Sequence, residues 1–536
     1  MDQGPTTESL GTSLPPSRFA SPHFRIVSPV AILHSQRPRL RAISVVAVGA
    51  MLIGALAPLR AQQPSGGQSP VAQTQPSAYP RSTVNLGAGW QPLGPGSITS
   101  ATYNNLTGRV AAIAPDLNDA SGNTVYLGTT GGGVWKSTNA AGGLSSASFA
   151  PLTDTLPVFS ANAGASATPS LSIGAVAVQP SVNPIVLAGT GDPNGATDSL
   201  YGEGLLRSAD GGLTWTLIQG SQDGANGKHS FIGLSTAAIA FCAATPALVV
   251  AAFSTSPQSA IVNAATSASI PGLYYSTDSG QTWQMATIYD GANVVQQPQP
   301  LGTGEVGNAA TSVVWDALRG KFFAAVRSHG YYSSPDGATW TRLLVQPGTN
   351  LTTTLCPVGP SGKGSPNCPI FRGTLAVQPT TGDLYALTVD SNDVDQGLWQ
   401  DLCAAASNAC ATPAPTFAHR IDNGALETGG GNTAIAQGSY TLALNAAPAA
   451  ANGTLLYVGT VDLYSCAMAA GASTCILRNT TNALDGCNAP AGSRPEAEEA
   501  QGPQAGASPE ARDRRQGIQG SLSALYRWRG SQRLPR

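Results

Sequence analysis

The sequence predicts an all-β repeat protein, and three observations carry that prediction: a recurring turn phrase, strand-like runs that recur around it, and a turn-rich composition. The phrase is a Ser, an Asp-Gly turn and a closing Thr-Trp. Its clean copies are Ser208-Ala-Asp210-Gly211-Gly212-Leu-Thr214-Trp215 and Ser276-Thr-Asp278-Ser279-Gly280-Gln-Thr282-Trp283. A third, Ser334-Pro-Asp336-Gly337-Ala-Thr339-Trp340, is one residue shorter, and Ser137-Thr-Asn139 is an eroded version with Asn in the Asp place. The four serines stand 71, 68 and 58 residues apart, the interval of one repeated supersecondary unit.

Each element of the unit follows from local chemistry. Asp and Ser bond the amides of their own turn and Gly takes φ > 0 at no steric cost, so the phrase is a hairpin corner. The Trp opens the following strand, where a large ring packs between neighbouring units. Ahead of the eroded copy stand Arg109–Pro115, Thr124–Thr129 and Gly133–Lys136; ahead of the first clean copy, Ile173–Pro180 and Pro184–Thr190. The pattern returns without the phrase at Gly373–Pro379, Asp383–Thr388 and Gly397–Trp399, and again at Tyr440–Leu444, Leu455–Thr460 and Ile476–Arg478. Strand, turn, strand, loop, strand, corner, strand is one four-stranded β-propeller blade. Six units are expected, near 106–158, 170–220, 232–288, 307–345, 371–420 and 436–488, with a seventh if the tail interrupts one more. The sixth shows no fourth strand of its own, so Gly89-Trp90-Gln-Pro-Leu-Gly94 is expected to complete it.

Only 10% of residues are charged, with Gly at 62 and Pro at 40, the composition of a turn-rich β protein with room for one large domain. A net charge of −2 and the lack of a basic stripe exclude phosphate-backbone binding, so no nucleic-acid partner is expected.

The phrase resembles the Asp-box, S/T-x-D-x-G-x-T-W, of sialidase-like, sortilin-like and xyloglucanase-like β-propellers and of many exported bacterial proteins. The resemblance covers roughly 90–488 and implies a propeller of about six blades. It implies structural roles for Ser208, Asp210, Gly212, Trp215, Ser276, Asp278, Gly280, Trp283, Ser334, Asp336 and Trp340. Activities differ across these propellers, so the fold assigns none. A sialidase would need an Arg triad, and nothing in the local setting of Arg109, Arg207, Arg327, Arg372 and Arg420 nominates three of them. Its Phe-Arg-Ile-Pro signature is matched only by Phe24-Arg-Ile-Val27, ahead of the export signal.

The ends fit export. Arg37-Pro-Arg39-Leu-Arg41 precedes an apolar run from Ala42 to Leu59, and Ala61 meets a polar stretch. That reads as a secretory signal within 1–61, cleaved after Ala61, or as a single membrane anchor. A Gln/Pro/Ser-rich linker, 62–85, follows; the propeller takes 86–490, and 491–536 is a disordered or frame-altered tail. The expected location is secreted, periplasmic or cell-surface. Of eight cysteines, Cys356/Cys368, Cys403/Cys410 and Cys466/Cys475 are close pairs suited to local disulfides, leaving Cys242 and Cys487.

Chemistry is sparsely written. Glycosidase action needs two carboxyl groups about 5–10 Å apart. The loop 189–204 offers Asp192, Asp198 and Glu203, with Tyr201 as a stacking platform, and ordinary turn chemistry explains the same residues. Asp390, Asp393 and Asp395 are oxygen donors suited to Ca²⁺, though without the spacing of a known calcium loop; no other cofactor is expected. Three scattered histidines after the signal, with no Gly-x-Ser-x-Gly, argue against a Ser/His hydrolase. The expected function is therefore a binding or scaffold propeller for a glycan or an extracytoplasmic protein, with a glycoside hydrolase as the alternative.

Overall fold

The computed structural model describes residues 109–480 apart from 143–145, 155, 157–170, 196–198, 256–267, 301–306, 349–350, 352–354, 357–363, 404–409, 411–413, 423–425, 427–434, 436 and 461, and ahead of that span three short strands. It is an all-β propeller of six four-stranded antiparallel blades. Blade 1 comprises Val110–Pro115, Val125–Thr129, Val134–Ser137 and Ala150–Pro151. Blade 2 comprises Ile173–Val178, Val186–Thr190, Leu205–Ser208 and Thr214–Ile218. Blade 3 runs through Ser235–Phe241, Val249–Ser254, Gly272–Ser276 and Gln284–Met285. Blade 4 runs through Ala310–Asp316, Lys321–Val326, Gly330–Ser334 and Thr339–Arg342. Blade 5 is Arg372–Val377, Leu384–Val389, Asp395–Asp401 and His419–Arg420. Blade 6 is Ala443–Pro448, Thr454–Gly459, Leu463–Met468 and Arg478–Asn479.

The first strands of consecutive blades pack against one another, from blade 1 through blade 6, so they line the middle of the ring. Five apolar clusters fill the spaces between consecutive blades. The second strands of blades 2 to 5 are buried almost throughout, as in Val186–Thr190 and Val249–Ser254, because neighbouring blades cover both faces, whereas those of the end blades 1 and 6 alternate. Trp215, Trp283 and Trp340 lie buried in the clusters joining blades 1 and 2, 2 and 3, and 3 and 4.

Three features depart from the sequence reading. In blade 6 the stretch expected as the third strand, Ile476–Arg478, runs into the fourth, Arg478–Asn479, which pairs Asn479 with Tyr464, and the third strand is Leu463–Met468. The blade thus has a fourth strand of its own; Trp90, expected in that role, lies outside the described residues. A hairpin, Thr287–Asp290 and Asn293–Gln296, leaves blade 3 and adds to the outer edge of blade 4, where Ile288 pairs in parallel with Trp340. Within the supposed linker, Gln73–Thr74 pairs with Trp215 and Thr214 at the edge of blade 2.

The three disulfides are Cys356–Cys368, Cys403–Cys410 and Cys466–Cys475. Cys242 is a buried free thiol, and Cys487 lies outside the described residues. Among the described residues no helix is long and apolar enough to cross a membrane.

Candidate functional site

The loop between the second and third strands of blade 2 turns inward over the middle of the ring. Its base is pinched at Thr190, whose hydroxyl donates to the Gly204 carbonyl at 2.7 Å and accepts from the amides of Glu203 and Gly204. Gly191 takes a φ of 88°, a conformation that favours glycine, and its amide reaches the Ser172 carbonyl. The chain then carries Asp192 to blade 1, Asn194 to blade 5 and Gly195 to the edge of Phe371 and Ser439.

Asp192 is 1% exposed. One carboxylate oxygen pairs with the Arg109 guanidinium and the other accepts the Asn194 amide at 3.0 Å. Arg109 also donates to the Thr130 hydroxyl and stacks 5.0 Å from the centre of the Tyr440 ring, which ties blade 1 to the segment entering blade 6. Glu203 is partly exposed and accepts from Gln219 at 3.1 Å. Desolvation raises its carboxyl above the ordinary value, and the Gln219 bond opposes the shift. Tyr201 is partly buried in the same loop, within electrostatic reach of Arg327. Asp198 lies outside the described residues.

Two further arginines, unassignable from their local sequence, meet this loop. Arg372 opens the first strand of blade 5; its Nη1 donates to Asn194 Oδ1 at 2.5 Å and to the Tyr440 carbonyl at 2.8 Å. Arg327 follows the second strand of blade 4; its Nε donates to the Phe371 carbonyl at 2.8 Å and its Nη1 to the Thr255 carbonyl at 2.9 Å. Its guanidinium lies 4.2 Å from the centre of the Phe371 ring. Desolvation pushes both guanidiniums down to about 10; at Arg372 the Asp192 carboxylate opposes the shift, and the charges of Arg327 and Arg109 add to it. Residues 109, 192, 327 and 372 thus form one electrostatic group at the mouth of the ring. They are far apart in sequence, and only the strand-end position that each shares could have signalled it.

The remaining candidates go to other places. Asp390 accepts the amides of Asn392 and Val394, and Asp393 accepts the amide of Ser439 at 2.6 Å. Asp395 is buried beside Asp422 under Arg420. Burial pushes the Asp395 carboxyl up to about 8, the neighbouring Asp422 adding to the effect. Among the described residues no group of three or more acidic, Cys or His side chains is arranged to hold a metal. Ser221, Asp223 and His229 are adjacent, but Ser221 and Asp223 both approach His229 Nδ1, and all three are buried. A nucleophilic Ser needs the opposite ring nitrogen from the carboxylate, so this trio is a brace between blades 2 and 3, with Asp223 accepting the Met285 amide.

The phrase corners share one geometry. Ser208 donates to Asp210, the Gly212 amide donates to Ser208, the Thr214 amide and hydroxyl donate to Asp210, and Trp215 Nε1 donates to the Gly212 carbonyl. Ser276, Asp278, Gly280, Thr282 and Trp283 repeat every bond. In the shorter corner Ser334, Asp336, Gly337 and Trp340 repeat all but that of the Thr hydroxyl. In blade 1, Asn139 accepts instead from the amide and hydroxyl of Ser148. Gly212 has a φ of 97°, and a Cβ there would meet Leu152 of blade 1 at 2.5 Å, so the corner seats against the preceding blade.

No family model matches the chain, and no curated protein matches it. Among solved structures, the chain is similar to an ancestral GH74 enzyme, at 19% identity and a TM-score of 0.41, over 73% of this chain and 39% of that one. It is similar to the GH74 enzyme of Niastella koreensis at 17% identity and a TM-score of 0.36, over 69% of this chain and 46% of that one. It is also similar to YCF48 from Cyanidioschyzon merolae at 13% identity and a TM-score of 0.32, over 70% and 85% of the two chains. The chain therefore spans less than half of those two GH74 structures.

Proposed function

We propose that this chain is an exported binding or scaffold propeller whose ligand, a glycan or another extracytoplasmic macromolecule, meets the face carrying the 189–204 loop. The observation that supports it is the state of Asp192: with one oxygen on Arg109 and the other on the Asn194 amide, it is built into the loop rather than free to move a proton. Loops held by a rigid scaffold are where recognition residues concentrate. Export is supported by the three disulfides, since such bonds persist in oxidising compartments.

A glycoside hydrolase has one observation in its favour. The raised Glu203 carboxyl has the direction of shift that a general acid needs. A glycan array run beside a polysaccharide hydrolysis screen separates the two readings. Binding without turnover, weakened by Tyr201→Ala and indifferent to Glu203→Gln, is expected. Turnover that Glu203→Gln abolishes, with folding intact, would establish the hydrolase instead.

A further inference from the structure

A ring of six blades has six seams, and five of them are filled. An apolar cluster occupies each seam from blade 1 through blade 6, and no such cluster lies between blade 6 and blade 1 among the described residues. No comparable packing joins the first strands of these two blades, Ala443–Pro448 and Val110–Pro115. The end blades approach at the mouth, where Arg109 lies over the Tyr440 ring.

The two sheet faces that border the sixth seam are apolar and incompletely covered. In blade 1, Tyr126 points into the core shared with blade 2, so its neighbour Leu127 faces the other way. Leu127 stands opposite Ile113 and Trp135, and residues paired across strands share a face. Leu127 and Trp135 are half-buried, and Ile113 is 51% exposed. In blade 6, Leu456 and Val458 pack toward blade 5, which turns the half-buried Leu455 and Tyr457 to the seam. The eroded corner of blade 1 agrees. Ser148 bonds Asn139 through its amide and hydroxyl as Thr214 bonds Asp210, so Phe149 stands in the place of Trp215. Trp215, Trp283 and Trp340 are buried against the preceding blade, but Phe149, whose preceding blade is the sixth, stays half-buried. Each of these side chains forfeits hydrophobic stabilisation until something covers it.

We infer that the seam between blades 6 and 1 is a docking surface for residues 86–106 of this chain, with Trp90 as the anchor that Phe149 alone does not provide. Reach, register and charge name this occupant. The hairpin of Ile98–Ser100 and Asn104–Leu106 ends four residues before Val110, and four residues span at most about 14 Å, which holds it beside the blade 1 border of the seam. Trp90 stands eight residues ahead of Ile98, a reach of about 28 Å, more than the depth of a six-residue strand. Blade 6 is already completed by Arg478–Asn479, so the strand-like phrase Gly89–Gly94 has no place within the six blades. Residues 86–106 contain no Asp, Glu, Lys, Arg or His, matching the uncharged border of Ile113, Leu127, Trp135, Leu455 and Tyr457, whereas the tail 491–536 is rich in Arg and Glu.

The test puts the photoreactive side chain of p-benzoylphenylalanine in place of the exposed Ile113 in the full chain and maps the cross-links by mass spectrometry. Links to residues 86–106 of the same chain are expected. Links between two chains would give the seam to a second copy, and links to 491–536 would give it to the tail. Either result, or no link at all, overturns the inference. Trp90→Ala supplies a second readout through amide hydrogen exchange. Exchange in Val125–Thr129 and Thr454–Gly459, the second strands of the end blades, should quicken at least tenfold, while Val249–Ser254, between two filled seams, stays unchanged. An equal change in all three strands, or no change in any, overturns the docking of Trp90. If the variant at 113 fails to fold, the exchange measurement decides; if Trp90→Ala fails, the cross-links do.

Discussion

Blades 2 to 4 and blades 5 to 6 solve the same problem with different bonds. In the first group the turn from third to fourth strand is held by a Ser–Asp–Thr set of hydrogen bonds, and a Trp drops into the space beside the preceding blade. In the second group no such phrase exists, and a disulfide crosses the same connection: Cys403–Cys410 in blade 5, Cys466–Cys475 in blade 6. The side chain that fills the space is smaller there, Phe417 in blade 5 and the aliphatic Leu477 in blade 6. A corner can be fixed by local side-chain bonds that need a large buried anchor, or covalently with a modest one. The boxed corners thus need no disulfide of their own, and the stapled corners depend on one.

The largest expected effect comes from removing the anchor on the boxed side. Trp283 is fully buried between blades 2 and 3, and Trp283→Ala should cost about 3–5 kcal/mol; an unchanged denaturation midpoint would reject the anchoring role. Next comes the staple. Replacing Cys403 and Cys410 together by Ser opens a short loop and should cost about 2 kcal/mol. Reductant should cost wild type more than that loss, and should still destabilise the double variant, which keeps Cys356–Cys368 and Cys466–Cys475.

Smaller again is the box carboxylate. Asp278→Ala removes bonds from the Thr282 amide and hydroxyl and from Ser276, and should cost about 1–2 kcal/mol. The binding proposed for the 189–204 loop should match wild type in this variant, since the corner bonds only within its own turn.

The smallest effect sharpens the contrast through pH. Asp395 of blade 5, raised to about 8 by burial, holds its proton in the folded state at pH 7, whereas the unfolded chain has already released it. The folded state therefore binds more protons, and stability falls as pH rises toward 8, by about 1 kcal/mol between pH 7 and pH 8. Asp395→Asn should flatten that slope in thermal melts at the two pH values, and an unchanged slope would assign the titration elsewhere.

The fold was legible because its signals are local. Ser, Asp, Gly and Trp within eight residues specify a corner by themselves, and runs such as Val249–Ser254 are apolar almost throughout because both faces are covered. The third strand of blade 6, Leu463–Met468, was hidden because most of its side chains are only partly buried or exposed and it mixes Tyr, Ser and Cys, so the run at Ile476–Arg478 stands out in its place. The hairpin 287–296 was hidden because its partner is a parallel strand from the next blade. The site was the least legible part. Asn194 and Arg372 meet across 178 positions of sequence, and Asp192 and Arg109 across 83. Each residue alone is an ordinary loop acid or a lone arginine, and only ring geometry makes them neighbours.

The hairpin also bears on the order in which the chain is built. When residues 287–296 leave the ribosome, blade 3 is complete except for a segment whose partner, Thr339–Arg342, has yet to be synthesised. Until then an edge with unpaired backbone groups stands open, a state prone to pairing with other chains. Blade 4 closes that edge when its last strand arrives, and the Thr287 amide then reaches the Ala338 carbonyl at 2.8 Å. Blades 3 and 4 are therefore one cooperative unit, bound by backbone as well as by core. Their amides should exchange together in native-state hydrogen exchange, and separate protection of the two blades would dissolve that unit.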